Sequence, residues 1–139
     1  MSVERTFSII KPDGVAHGQA GEILAIIEKA GFKILALRMT RLSEAQAQGF
    51  YAVHRERPFF GGLVKFMTEG PIIVMALERE DAIKGLREVM GATNPEKAAA
   101  GTVRKRFAEN IERNCIHGSD APGTAETELR FFFSTADLI

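Results

Sequence analysis

The densest run of reactive side chains in the sequence is Asn114-Cys115-Ile116-His117-Gly118-Ser119-Asp120. Imidazole is the side chain best suited to act as nucleophile or proton carrier near neutral pH. The same run has a plainer reading: Gly-Ser-Asp is turn chemistry, and Ser119 or Asp120 can cap the helix that follows. Further on, Glu128 stands at i+3 from Ala125 and i−4 from Phe132, on the apolar stripe of a predicted helix. A carboxylate on such a stripe loses hydration and needs a partner. If the helix runs back toward His117, Glu128 meets one imidazole nitrogen, fixes the tautomer and leaves the other nitrogen free to attack. A rim position on the apolar face is the alternative for Glu128, and local sequence does not separate the two.

An imidazole that takes up a phosphoryl group needs cations on the equatorial oxygens, because positioning and charge stabilisation make up most of that catalysis. Lys11 closes a predicted strand, Arg87 lies late in a predicted helix and Arg104 sits in Thr-Val-Arg-Lys-Arg. Each of these alone reads equally as a solvated surface charge. The Gly- and Ala-rich loop at 91–101 is long for a compact domain, a length that often goes with function. Neither a Gly-x-x-x-x-Gly-Lys-Ser/Thr loop nor a Gly-x-Gly-x-x-Gly turn is present, and no Cys/His spacing suits zinc. A bound nucleotide would therefore be held by separate side chains.

Positioning these residues falls to alternating strands and helices. Residues 6–10 read as a strand ending in Lys11-Pro12-Asp13-Gly14, a predicted turn in which Gly14 tolerates positive φ. Ile23, Ile26, Ile27 and Ala30 make one helical face over 21–30, with Gly31 as the stop. Residues 32–42 fit a buried strand. Ser43-Glu44-Ala45-Gln46 has capping-box spacing and predicts a helix with Ala47, Phe50 and Tyr51 inward. Pro58 opens a predicted helix carrying Phe59, Phe60, Leu63, Phe66 and Met67, and Gly70-Pro71 ends it. A strand at 72–78, a helix at 81–90 and a short helix at 102–108 follow. A short strand near 115–117 and a last helix at 122–133 complete the chain.

Several connections are too short for parallel crossovers, so the pattern predicts an α+β layer fold with an antiparallel sheet. The 139 residues suit one domain, 1–139. Hydrophobic residues make up 45% and charged residues 26% of the chain, an ordinary soluble composition. With 18 basic and 18 acidic residues the formal charge is zero, which gives no global field for nucleic acid or an anionic membrane. No apolar run approaches the ~20 residues of a membrane helix, and the start of the chain does not resemble a signal peptide. Cys115 is the single cysteine. These features predict a cytoplasmic protein.

Along essentially its whole length the chain resembles the nucleoside diphosphate kinase family, in particular its bacterial-type members with a short C-terminus. Asn-x-x-His-Gly-Ser-Asp-Ala at 114–121 is similar to the family's active-site signature. Thr-Phe-Ser-Ile-Ile-Lys-Pro-Asp-Gly at 6–14, Arg-Pro-Phe-Phe at 57–60, Met-Gly-Ala-Thr-Asn-Pro at 90–95 and Gly-Thr-Val-Arg at 101–104 stand around it in the family's order.

The resemblance implies a ferredoxin-like α+β sandwich with a four-stranded antiparallel sheet and helices packed on it. An extra loop near the site would span roughly 91–111. It implies transfer of the γ-phosphate of a nucleoside triphosphate, typically ATP, to a nucleoside diphosphate. The cycle is ping-pong, through a phosphohistidine at His117, and serves NTP and dNTP pools. By the same resemblance Glu128 orients the imidazole, Ser119 supports Glu128, and Tyr51 stands beside the histidine. Lys11 lies near the γ-phosphate and the sugar 3′-hydroxyl, and Arg87, Thr93 and Arg104 hold phosphates. Asn114 contacts the sugar, Phe59 stacks on the base, and Leu63 and Ile111 add apolar lining. Stacking tolerates any base, since each has a π-face. Mg²⁺ would ride on the phosphates, with few or no direct protein ligands. Homo-oligomers, tetramers or hexamers, are the implied assembly, and nucleic acid is not expected as a main partner.

The chain departs from the family at Arg106, where an acidic residue is usual, at Arg79, where Gly is common, and at Ala121, where Ser is common. Ala121 forgoes a capping oxygen worth ~1 kcal/mol, and Cys115 is an oxidisable neighbour of the active strand. A nucleotide-sensing module of the same fold is a second reading, and a plain structural domain a third. Retention of His117, Glu128 and Lys11 favours the enzyme.

Overall fold

The computed structural model describes residues 2–138. Its sheet has four strands: β1 (Val3–Ile10), β2 (Lys33–Thr40), β3 (Ile72–Glu80) and β4 (Ile116–Gly118), in the order β2-β3-β1-β4. All three pairings are antiparallel, with Ile9 opposite both Val74 and His117. A ferredoxin-like split βαβ layout has this order: the chain crosses from β1 to β2 by way of a helix, and β3 fills the gap between them. Around the sheet stand α1 (Pro12–Ala16), α2 (Ala20–Lys29), α3 (Glu44–Phe50), α4 (Phe60–Met67), α5 (Ala82–Met90), α6 (Val103–Phe107) and α7 (Pro122–Phe132).

Both faces of the sheet are covered, which is why residues 6–10 alternate only weakly in the sequence. On one face Phe7, Ile9, Val74 and Ala76 pack against Ala47, Tyr51, Met67, Leu129 and Phe132. On the other, Ile10, Met75, Leu77 and Ile116 pack against Ile23, Ile27, Leu86 and Met90. Phe7 stacks on Phe132 with centroids 5.2 Å apart, so α7 is anchored on the strand that pairs with β4. The capping box at Ser43 forms as the spacing predicts, with Gln46 N–H donating to Ser43 Oγ and Ser43 N–H to Gln46 Oε1.

Local expectations change at several points. β2, expected to be buried, lies at the edge of the sheet and leaves most of its residues at least partly exposed. Lys11-Pro12-Asp13-Gly14 is the entry to α1, with Pro12 at the first helical position, where its missing N–H costs nothing. Gly14 serves close approach, not positive φ: a Cβ there would lie 3.0 Å from Ile10 Cγ2 and 3.3 Å from the Cys115 carbonyl oxygen. The helix after Pro58 starts only at Phe60, because a short 3₁₀ turn at Ala52–His54 and further turns lead into it, and Phe59 is left exposed. The long loop after α5 holds a 3₁₀ turn at Pro95–Lys97, capped by the Asn94 side chain.

Arg79, at the end of β3, is folded inward. Its Nη1 donates to the Ala30 carbonyl at 2.9 Å, closing the end of α2, and its guanidinium lies 4.5 Å over the Phe32 ring. The same group rests directly on Gly85 of α5, in the space that a Cβ at position 85 would fill. No helix among the described residues is long and apolar enough to cross a membrane.

Candidate active site

β4 is short, yet its backbone is held from several sides. Ser8 Oγ donates to the His117 carbonyl at 2.7 Å, and Ser119 N–H donates to the Phe7 carbonyl at 3.1 Å. Gly118 lets α5 approach: a Cβ there would meet Met90 Sδ at 2.6 Å and Leu86 Cδ2 at 3.0 Å. The His117 ring lies edge-on to Phe50 at 5.8 Å. Its position in the plane is thus fixed by packing before any polar partner is counted.

α7 runs back beside β4 and delivers Glu128. His117 Nε2 lies 2.9 Å from Glu128 Oε1, and Ser119 Oγ donates to the same oxygen at 2.6 Å. Of the two readings left open for Glu128, the inward one is therefore correct. An imidazole that donates Nε2–H to a carboxylate keeps its Nδ1 lone pair free. Tyr51 is buried close by; its hydroxyl has no hydrogen-bond partner among the described residues, and burial and the Glu128 charge both hold its phenol in the neutral form.

Two of the three expected cations, Arg87 and Arg104, converge beside the imidazole, whereas Lys11 lies outside the lining of the cleft they share. His117, Glu128, Arg87, Thr93, Arg104 and Asp120 line one cleft of about 220 Å³. A larger groove of about 710 Å³ runs between β1 and α7, but its lining does not include His117. Arg104 is buried, and its guanidinium donates to the carbonyls of Asn114 (3.4 Å), Gly91 (3.1 Å) and Ile116 (2.7 Å). Lys11 Nζ donates to Asn114 Oδ1 at 2.8 Å, and Asn114 Nδ2 to the Ile111 carbonyl at 2.9 Å. Burial, and then the charge of Arg104, lower the Lys11 ammonium to about 8. Burial chiefly, with Arg87 adding, lowers Arg104 to about 10. Lys11 and Arg104 are joined through Asn114, the first bonding its side-chain oxygen and the second its backbone carbonyl.

Other expected residues stand apart from the cleft wall. Phe59 is exposed and tilted against His54 at 5.4 Å, Ile111 is exposed, and Leu63 packs partly into the core. Sequence reading did not single out Val53, His54, Met90 or Thr124, which line the cleft, and took Asp120 only as a cap. Thr124 Oγ1 donates to Asp120 Oδ1 at 2.7 Å and accepts from Ala121 N–H at 3.0 Å, so half of a capping box survives the missing oxygen at Ala121. The Thr at the third position after the cap was its only trace in the sequence. Arg106 pairs with Glu22 at 3.4 Å on the surface. Cys115 is fully buried, and burial pushes its thiol up to about 12, so the fold opposes the oxidation considered for it.

A ferredoxin-like domain with an oriented imidazole facing a cluster of cations defines a phosphotransferase class. The family model described as nucleoside diphosphate kinase matches residues 4–138. Nucleoside diphosphate kinase of Halorhodospira halophila is 60% identical over 138 residues, covering 99% of this chain and 98% of its own. Among solved structures, the Aquifex aeolicus nucleoside diphosphate kinase superposes with a TM-score of 0.97 at 45% identity, covering 99% of this chain and all of that one. The Halobacterium salinarum nucleoside diphosphate kinase, in complex with CDP, gives 0.95 at 41% identity, covering 99% and 92%. The chain belongs to the nucleoside diphosphate kinase family.

Proposed function

We propose that the chain transfers the γ-phosphate of a nucleoside triphosphate to a nucleoside diphosphate by a ping-pong cycle through phosphohistidine at His117. The observation that carries this is the shared oxygen of Glu128, 2.9 Å from His117 Nε2 and 2.6 Å from Ser119 Oγ. Nδ1 attacks the γ-phosphorus, an N–P bond forms, and the bond to the β-phosphate oxygen breaks as diphosphate leaves. A terminal oxygen of the acceptor diphosphate then takes the phosphoryl group and frees the imidazole. Glu128 stabilises the positive charge that grows on the ring during attack. Lys11, Arg87 and Arg104, with Thr93, hold the phosphate oxygens, and charge placed in advance needs no reorganisation in the transition state.

Asn114 contacts the sugar in this reading. Phe59 stacks on the base, with Leu63 and Ile111 as apolar lining, which suits broad acceptance of bases. The CDP complex of the H. salinarum relative supports diphosphate acceptors here. Mg²⁺ carried on the phosphates fits the hard carboxylate of Asp120 in the cleft wall, and when bound it would neutralise phosphate charge. Edge strand β2 leaves Leu37 and Met39 exposed, a surface that supports assembly of several copies into a tetramer or hexamer. Maintenance of NTP and dNTP pools in the cytoplasm is the corresponding role.

Incubation with γ-labelled ATP and Mg²⁺ tests the mechanism. Acid-labile label on the wild-type chain, chased by a nucleoside diphosphate, is the expected result, and none should form on His117→Ala. Label that persists in that variant overturns the assignment.

A further inference from the structure

Asp13 is 1% exposed, and no step above uses it. It lies in α1, two positions after Lys11, and faces the backbone just before β4. Its Oδ2 accepts the Cys115 N–H at 3.0 Å, while the Lys11 N–H donates to the Cys115 carbonyl at 2.9 Å. Cys115 has a φ of 60°, which residues other than Gly, Asn and Asp seldom adopt. Both backbone polar groups of this residue are therefore held by the segment that carries Lys11. On one side of Cys115 is Asn114, partner of the Lys11 ammonium; on the other, Ile116 begins the strand of His117.

We propose, resting on the phosphotransfer reading above, that Asp13 is a positioning residue. Its carboxylate ties the segment bearing Lys11 to the backbone bearing Asn114 and His117, and sets a negative charge in the same buried region as the Lys11 ammonium, without a direct ion pair to it. A neutral hydrogen-bond acceptor would supply the first function and not the second. Lys11 is lowered by burial and Arg104, and raised by Asp13 and Cys115. Asp13 is itself raised by burial, opposed by nearby backbone N–H groups and by the Lys11 and Arg113 charges. Removing the Asp13 charge takes away the stronger of the two influences that keep Lys11 cationic. The Lys11 charge is then lost at lower pH, and phosphoryl transfer that depends on it fails at lower pH too.

Asp13→Asn and Asp13→Ala in the full chain separate the two functions. The readouts are ATP-to-dGDP transfer across pH, thermal unfolding, and the Lys11 titration followed by NMR of ¹³C-lysine protein, with the signal assigned through Lys11→Arg. Asp13→Asn keeps an acceptor for Cys115 N–H; kcat on the acid side of the profile falls less than in Asp13→Ala, while the alkaline limb and the Lys11 titration both move to lower pH, so that kcat at neutral pH declines with them. Asp13→Ala leaves that N–H unpaired and lowers kcat roughly ten- to a hundredfold, with KM changing less, since small misplacements of reacting groups carry such losses. Folded Asp13→Asn with an unmoved Lys11 titration and an unmoved alkaline limb overturns the proposal, whether or not Asp13→Ala folds. If wild type forms no phosphohistidine, the His117 mechanism fails separately, and the Lys11 titration still reports on Asp13.

Discussion

Lys11, Arg104 and Asn114 are buried and tied to one another or to backbone carbonyls, whereas Phe59 and Ile111, assigned to the base, are each 51% exposed. The first group is rigid before any ligand arrives. Its cost is visible in the depressed Lys11 and Arg104, which must stay charged with little water around them. The second group is a surface that many flat, apolar rings can meet. The proposed transfer between nucleotides of varied base would use this division: fixed charge where the chemistry is constant, loose contact where the ligand varies.

Substitutions at the two ends should separate accordingly. The largest effect is expected for His117→Ala, a loss of about 10⁵-fold or more in kcat, as for other covalent nucleophiles. Glu128→Gln should come next, with kcat down roughly 10²- to 10⁴-fold and thermal stability little changed, because the amide no longer fixes the tautomer. Lys11→Met should lower kcat about 10²-fold and yet raise Tm. The folded chain holds this ammonium at about 8 against an ordinary 10.5, so the cation opposes folding at neutral pH. The sign follows from linkage: that opposition is full below pH 8 and fades as pH rises toward 10.5, while wild-type activity drops as pH rises through about 8 in the free enzyme. Phe59→Ala should have the smallest effect, about tenfold in KM with kcat nearly intact. A Phe59→Ala variant that loses kcat instead would break the contrast between the two ends.

The sequence exposed these regions unevenly. The antiparallel α+β pattern and the order of the helices follow from spacing and apolar stripes, while for Glu128 the stripe left an inward and a rim position open, and only the fold shows it against His117. The burial of Lys11 and Arg104 does not follow from spacing, because a lone cation looks the same in sequence whether solvated or buried; it depends on pairings between segments distant in the chain. Asp13 was hidden for a further reason. Next to Pro12 and Gly14 it reads as turn chemistry, and only the fold shows that its carboxylate reaches Cys115. The error at Pro58 has a local cause. Proline permits a helix start but does not force one, and the turns at 52–59 hold the backbone elsewhere.

Arg79 and Gly85 share one space. Because the guanidinium occupies the space beside Gly85, any side chain at 85 evicts it from Phe32 and from the end of α2. Arginine at 79 in this pose and a side chain at 85 are therefore alternatives, and a substitution at either position is felt at the other.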